Sequence, residues 1–195
     1  MTQTAVVQAI EEAFADAPYP GDENLVSDTS GTHLEAERIK SAFAGLHWRD
    51  VSSETLKQNR SALAFLSAAG YVFYLPAFMR LAVDEFDEAD VIPGELIFTL
   101  TRPEELDLAA LEAAAKQHSE LQPFDDAEWA GVLDALRGGH ANDLYERFFI
   151  DRVRRLDERQ KRSVKGFLEF MRDEHAADFP DSSPQRALER YWDRV

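Results

Sequence analysis

Cysteine is absent from this chain of 195 residues. That excludes a disulfide framework, a thiolate zinc or iron–sulfur centre and a cysteine nucleophile, and it suits a reducing compartment. Long apolar runs are missing as well. The stretches near Ser61–Leu66 and Tyr71–Met79 are broken by Gly70, Pro76 and Arg80, short of the roughly 20 residues that a membrane span requires. The first 30 positions hold no Lys or Arg and six acids, so a secretory signal with its basic start is not expected. No segment repeats at a fixed period, which excludes a solenoid. These absences lead us to expect a soluble cytoplasmic protein that makes no contact with a membrane.

What is present is acid, apolar residues and aromatic rings. Acidic side chains number 37 against 21 basic ones, for a formal charge of −16, while 45% of residues are hydrophobic and 11% aromatic. That aromatic content separates the chain from disordered acidic tails, and its length supports one domain with a sizeable core. The charge is uneven. Residues 147–165 carry eight bases and three acids, so the remainder is still more negative than the total. Such a field repels nucleic acid and draws cationic partners.

Apolar spacing is helical almost throughout. Thr4 is placed to cap a helix over 5–16, and Thr32 one over 33–44 that Gly45 ends. A third helix is expected over 53–66. Pro76 disfavours a helical Leu75, so Tyr71–Leu75 reads as extended or a tight turn, with a fourth helix over 76–86 begun by the proline. Val91–Leu100 reads as either a short strand or a helical turn. Helices are further expected over 104–120, 127–137, 142–155, 158–175 capped by Asp157, and from Ser183-Pro184 onward. The fold class is all-α or nearly so: one domain over 1–195, with at most a short extended segment near 71–75 or 95–100.

One segment is less generic. Ala42-Phe43-Ala44-Gly45 with Trp48, then Phe65-Leu66-Ser67, then Gly70-Tyr71-Val72-Phe73-Tyr74-Leu75-Pro76-Ala77-Phe78-Met79 resembles a bacterial family of uncharacterised domains. The resemblance continues through Val91-Ile92-Pro93, Arg159-Gln160, Phe167-Leu168 and the C-terminal Tyr191-Trp192. It covers most of 38–105 and 156–192 and leaves out 1–30. It implies a shared core and a family-variable insertion over 104–145, and it carries no catalytic residue. The rings of Tyr71–Phe78 fit either a core hinge or the aromatic mouth of a pocket.

Catalytic patterns are wanting. The histidines at 33, 47, 118, 140 and 175 never stand four apart, so the two-histidine helical zinc pattern is missing, as are a phosphate-cradling glycine loop and a dinucleotide fingerprint. A nucleophile elbow is also missing, and Ser67 reads as a cap or turn. Asp22, Asn24 and Asp28 do not make a calcium loop. No metal, cofactor or catalytic residue is expected, and the chain reads as a binding protein more than an enzyme. Arg152, Arg155, Arg159 and Arg162 fall at helical spacing. They read first as partners for the acidic remainder, with nucleic-acid contact and a self-association patch with Tyr145, Phe148 and Phe149 as the other readings. No other feature indicates a homo-oligomer.

The reading adopted is an acidic protein-binding module for a cationic partner protein, the charge profile of immunity-type inhibitors. Its binding residues are taken as Glu85, Asp87, Glu88 and Asp90 in the acidic turn, with Glu104, Glu105 and Asp107. Two alternatives stay open: an enzyme or small-ligand binder with a pocket near 71–78 that holds His47 or a partnerless carboxylate, and a nucleic-acid mimic.

Overall fold

A computed structural model describes residues 1–104 and 140–195. Among the described residues there are nine α-helices and no strand. They are α1 (Gln3–Ala13), α2 (Leu34–Phe43), α3 (Ser53–Gln58), α4 (Ala62–Phe65), α5 (Ala68–Asp84), α6 (Ile92–Leu100), α7 (His140–Val153), α8 (Glu158–Glu174) and α9 (Ser183–Arg190). The chain divides into two units: 1–101 with 151–195, and 102–150. The expected helices over 104–120 and 127–137 fall on positions almost all outside the described residues. In the second unit, Arg102 pairs with Glu146 at 2.5 Å.

The first unit is organised by α5. Thirteen of its seventeen residues are buried, including every one from Gly70 to Met79. The expected extended segment at 71–75 is therefore helical, and the helix starts at Ala68 instead of Pro76. Ser67 caps it by accepting the Gly70 N–H at 3.0 Å. Pro76 lies inside the helix, where the missing N–H and the ring clash cost about 3 kcal/mol. Burial offsets this. Each large apolar side chain taken out of water contributes roughly 1.5–3 kcal/mol, and Tyr74, Leu75, Phe78 and Met79 are all fully enclosed. The second expected extended stretch, 95–100, is also helical, within α6.

Helix α1 packs on both α5 and α8, while α9 packs on α6 and α8. Aromatic polar tips tie element ends into this core. Trp48 Nε1 donates to Phe14 O at 3.2 Å, and Trp192 Nε1 donates to Leu100 O at 2.7 Å. Tyr74 Oη reaches Phe43 O at 2.7 Å and Leu46 O at 2.9 Å. Buried Tyr and Trp need such partners.

Several boundaries differ from expectation. Thr2, not Thr4, caps α1, and the His33 ring, not Thr32, caps α2. The helix expected over 53–66 is two short ones. Asn59 ends α3 by turning its side-chain amide back onto Thr55 O at 2.8 Å. Arg38 of α2 then holds the gap, donating to Gln58 O at 3.2 Å and Asn59 Oδ1 at 2.9 Å. Asp157 caps α8 as expected, in a reciprocal capping box with Gln160.

Candidate functional site

Two places in the first unit bring chemistry together. The first is the acidic end. Helices α5 and α8 are each 17 residues long, and their C-termini meet. Phe86, just past α5, stacks on His175 at the end of α8 with ring centroids 3.7 Å apart. Phe179 meets Phe86 edge-on at 6.0 Å. Exposed Asp84, Asp87 and Glu88 lie within two residues of Phe86, and exposed Asp173 and Glu174 immediately precede His175. A helix C-terminus carries roughly half a negative charge, and acids there are unfavourable for the helix itself. The last turn of α5 holds no basic residue.

The turn's candidates divide. Glu85 is bound by Lys57 Nζ at 2.7 Å, and that hydrogen bond holds its carboxyl below the ordinary glutamate value. Asp90 pairs with Arg60 at 2.9 Å, both exposed. Asp87 and Glu88 are exposed and make no side-chain bond among the described residues. Glu104 is exposed but belongs to the other unit; Glu105 and Asp107 lie outside the described residues. The sequence reading missed Glu174, Phe86 and His175. The available signal was Asp173-Glu174 closing a helix whose dipole disfavours acids at that end.

The second place is a groove of about 880 Å³ at the opposite ends of the same helices. Its walls come from the 16–29 loop, the start of α5 and the 155–160 segment that opens α8. The loop is fastened to α5 by its backbone: Ser67 N–H donates to Leu25 O and Ser27 N–H to Phe65 O, each at 2.9 Å. Ser67 Oγ adds a bond to Asn24 O at 2.5 Å. Farther along the loop, Tyr19 donates to Asp22, and the Gly45 N–H reaches both, at 2.9 and 3.0 Å. Burial, with Asp22 beside it, pushes the Tyr19 hydroxyl up. The rings of Tyr71–Phe78 are core, and Val72 and Phe73 also form groove wall. His47 is not among the lining residues. It packs edge-on against Phe73 at 5.5 Å and caps the short turn at Trp48.

The basic stretch is mostly engaged within the first unit. Arg152 is buried, lying 4.0 Å over the Tyr71 ring and donating to Leu63 O at 2.8 Å. Lys161 pairs with Glu158 at 2.8 Å, and Arg159 reaches Asp16 at 3.8 Å. Arg154, Arg155 and Arg162 are exposed and have no side-chain partner among the described residues. Among the described residues no cluster of three His, Asp or Glu is placed to hold a metal ion, and no helix is long and apolar enough to cross a membrane.

An all-helical unit with an acidic end and a groove at the other defines a structural class without defining a reaction. The chain belongs to a family of unknown function (DUF6714), whose model matches residues 2–121. The match takes in the N-terminal residues that the motif resemblance leaves out, and it stops before the α8 and α9 motifs. Neither a curated protein nor a solved structure matches the chain.

Proposed function

We propose that this chain is a protein-binding module whose acidic end takes a cationic partner protein. The carrying observation is the meeting of two helix C-termini at the Phe86–His175 stack, with Asp84, Asp87, Glu88 and Glu174 exposed around it. Two negative dipole ends and several carboxylates at one end make a field that selects basic surfaces. Phe86 and Phe179, both half-buried, supply the aromatic centre that binding surfaces favour inside a charged rim. The placement opposes helix stability, which fits an external role such as neutralising a basic enzyme, as immunity-type inhibitors do.

The test is capture from a native extract at low salt, with the bound fraction eluted by rising salt. Wild type should retain a stoichiometric basic protein that Asp87→Asn/Glu88→Gln/Glu174→Gln loses. A control carrying Glu37→Gln, Asp50→Asn and Glu54→Gln makes the same charge change elsewhere and should still retain it. Equal capture by both triple variants would sink the reading.

A further inference from the structure

The groove between the 16–29 loop, the start of α5 and the 155–160 segment has its own chemistry, independent of the acidic end. Its lining holds three carboxylates and two arginines, and each carboxylate has a partner inside the protein. Asp157 accepts the Gln160 N–H at 2.8 Å. Asp16 faces Arg159, Glu23 accepts from Asn24 Nδ2 at 3.1 Å, and Ser67 Oγ is used twice.

Against these stand unused donors on four residues. Gln160 is only 7% exposed. Its Oε1 accepts the Asp157 N–H at 3.0 Å, while its Nε2 has no partner. Gln160 is one of the lining residues, so its unpaired Nε2 is a donor open to a ligand acceptor in the groove. Arg155 lines the same groove with its guanidinium exposed and unpaired. The first-turn N–H groups of Ala68 and Ala69 lack helical partners, and the Ser67 cap serves Gly70 instead. Arg159 is a second cation, held to Asp16 only at 3.8 Å with both side chains largely exposed, so an incoming anion could displace that pairing at little cost.

The rest of the wall is apolar. Pro18, Tyr19 and Val72 line it, and Tyr19 is 38% exposed while braced edge-on against Phe73. The volume lies within the usual range for small-molecule sites, roughly 300–1,000 Å³.

We infer that this groove binds a small organic oxyanion, a carboxylate or phosphate monoester, with its charged end on Arg155 and Gln160 Nε2 and its apolar body against Pro18, Tyr19 and Val72. The site lies at the positive end of α5, which adds a favourable field for the anion, while that of α8 is already capped by Asp157.

The test is a titration of the full chain followed by amide and side-chain NMR shifts, using phenyl phosphate, phenylacetate, inorganic phosphate and benzyl alcohol. Phenyl phosphate or phenylacetate should saturate shifts at Ala68, Ala69, Arg159 and the Gln160 side-chain amide, and whichever binds tighter names the oxyanion. Inorganic phosphate should bind weaker and benzyl alcohol should leave these signals in place. Arg155→Ala should weaken the better ligand about tenfold or more. Gln160→Glu keeps the cap, since Glu serves a capping box as well as Gln, and replaces the free donor with a negative oxygen, so it should abolish binding. If Gln160→Glu fails to fold, the exposed Arg155→Ala decides alone. Absence of saturable shifts with both aromatic anions, equal affinity for inorganic phosphate, or unchanged binding by Arg155→Ala would each overturn the proposal.

Discussion

Gly70 leaves no room for a side chain: a Cβ there would stand 2.3 Å from Leu25 O. The sequence suggests a turn glycine at this position, but its backbone is helical and the requirement comes from the 16–29 loop pressed against it. Gly70→Ala must push backbone away from backbone, so it should destabilise by about 1–3 kcal/mol or more, read as a lowered urea midpoint. An unchanged midpoint would mean that the Leu25 segment moves freely. Phe78 is fully buried, and Phe78→Ala should cost about 3–5 kcal/mol in the same assay. Tyr74→Phe keeps the ring and removes the hydroxyl donor from the Phe43 and Leu46 carbonyls, of which Phe43 O keeps the Leu46 N–H, so it should cost about 0.5–1.5 kcal/mol. Burial of these rings could be anticipated from their density between Gly70 and Met79. The hydroxyl partners, 28 and 31 positions away, could not, because nothing local encodes them.

At the scale of elements, local signals were readable and buried ones were not. Asp157 with Gln160 three residues on is a cap written within four positions, and α8 begins there. Asp157→Ala should cost about 0.5–2 kcal/mol, measured by thermal denaturation. Helix α5 hid its identity because a helix buried all round shows no apolar period, and Pro76 then argued for a false start. The break between α3 and α4 was hidden for another reason: it depends on Arg38, twenty residues upstream of Gln58. Arg38 is itself positioned by Glu35, whose Oε1 it grips at 2.6 Å while Ser61 Oγ donates to the same oxygen at 2.6 Å. These bonds, Arg38 first and Ser61 second, hold the Glu35 carboxyl down at about 2. A depressed folded-state value stabilises above the unfolded value of 4.5 and is lost as pH falls from there toward about 2. Glu35→Gln should therefore flatten the acid limb of a stability–pH curve in that window and leave its shape near neutrality unchanged. An acid limb identical to wild type would show that the Glu35–Arg38–Ser61 cluster adds nothing to folding.

Across the larger of the two units, α5 and α8 run in the same direction, with their N-termini at the groove and their C-termini joined at Phe86–His175. Their dipoles therefore add, and at the C-terminal end the side chains reinforce them: Asp84, Asp87, Glu88 and Glu174 are exposed there. Net charge and the unequal layout were visible in the sequence, but the parallel arrangement was not, because it joins segments some ninety residues apart. The arrangement gives salt two opposite effects. A formal charge of −16 repels itself, and screening over about 10 Å at 0.1 M relieves that repulsion, so the unfolding temperature should rise between 10 and 200 mM sodium chloride. The same screening removes the attraction of the acidic end for a basic partner, so capture should fall over the same range. Asp87→Asn/Glu88→Gln/Glu174→Gln removes part of both effects: it should unfold at a higher temperature than wild type at 10 mM salt, and the gap should shrink by 200 mM. A triple variant that unfolds at or below the wild-type temperature at 10 mM salt would place those carboxylates in specific contacts instead of an open field. The acidic end would then be built for stability, and the case for a cationic partner there would fail.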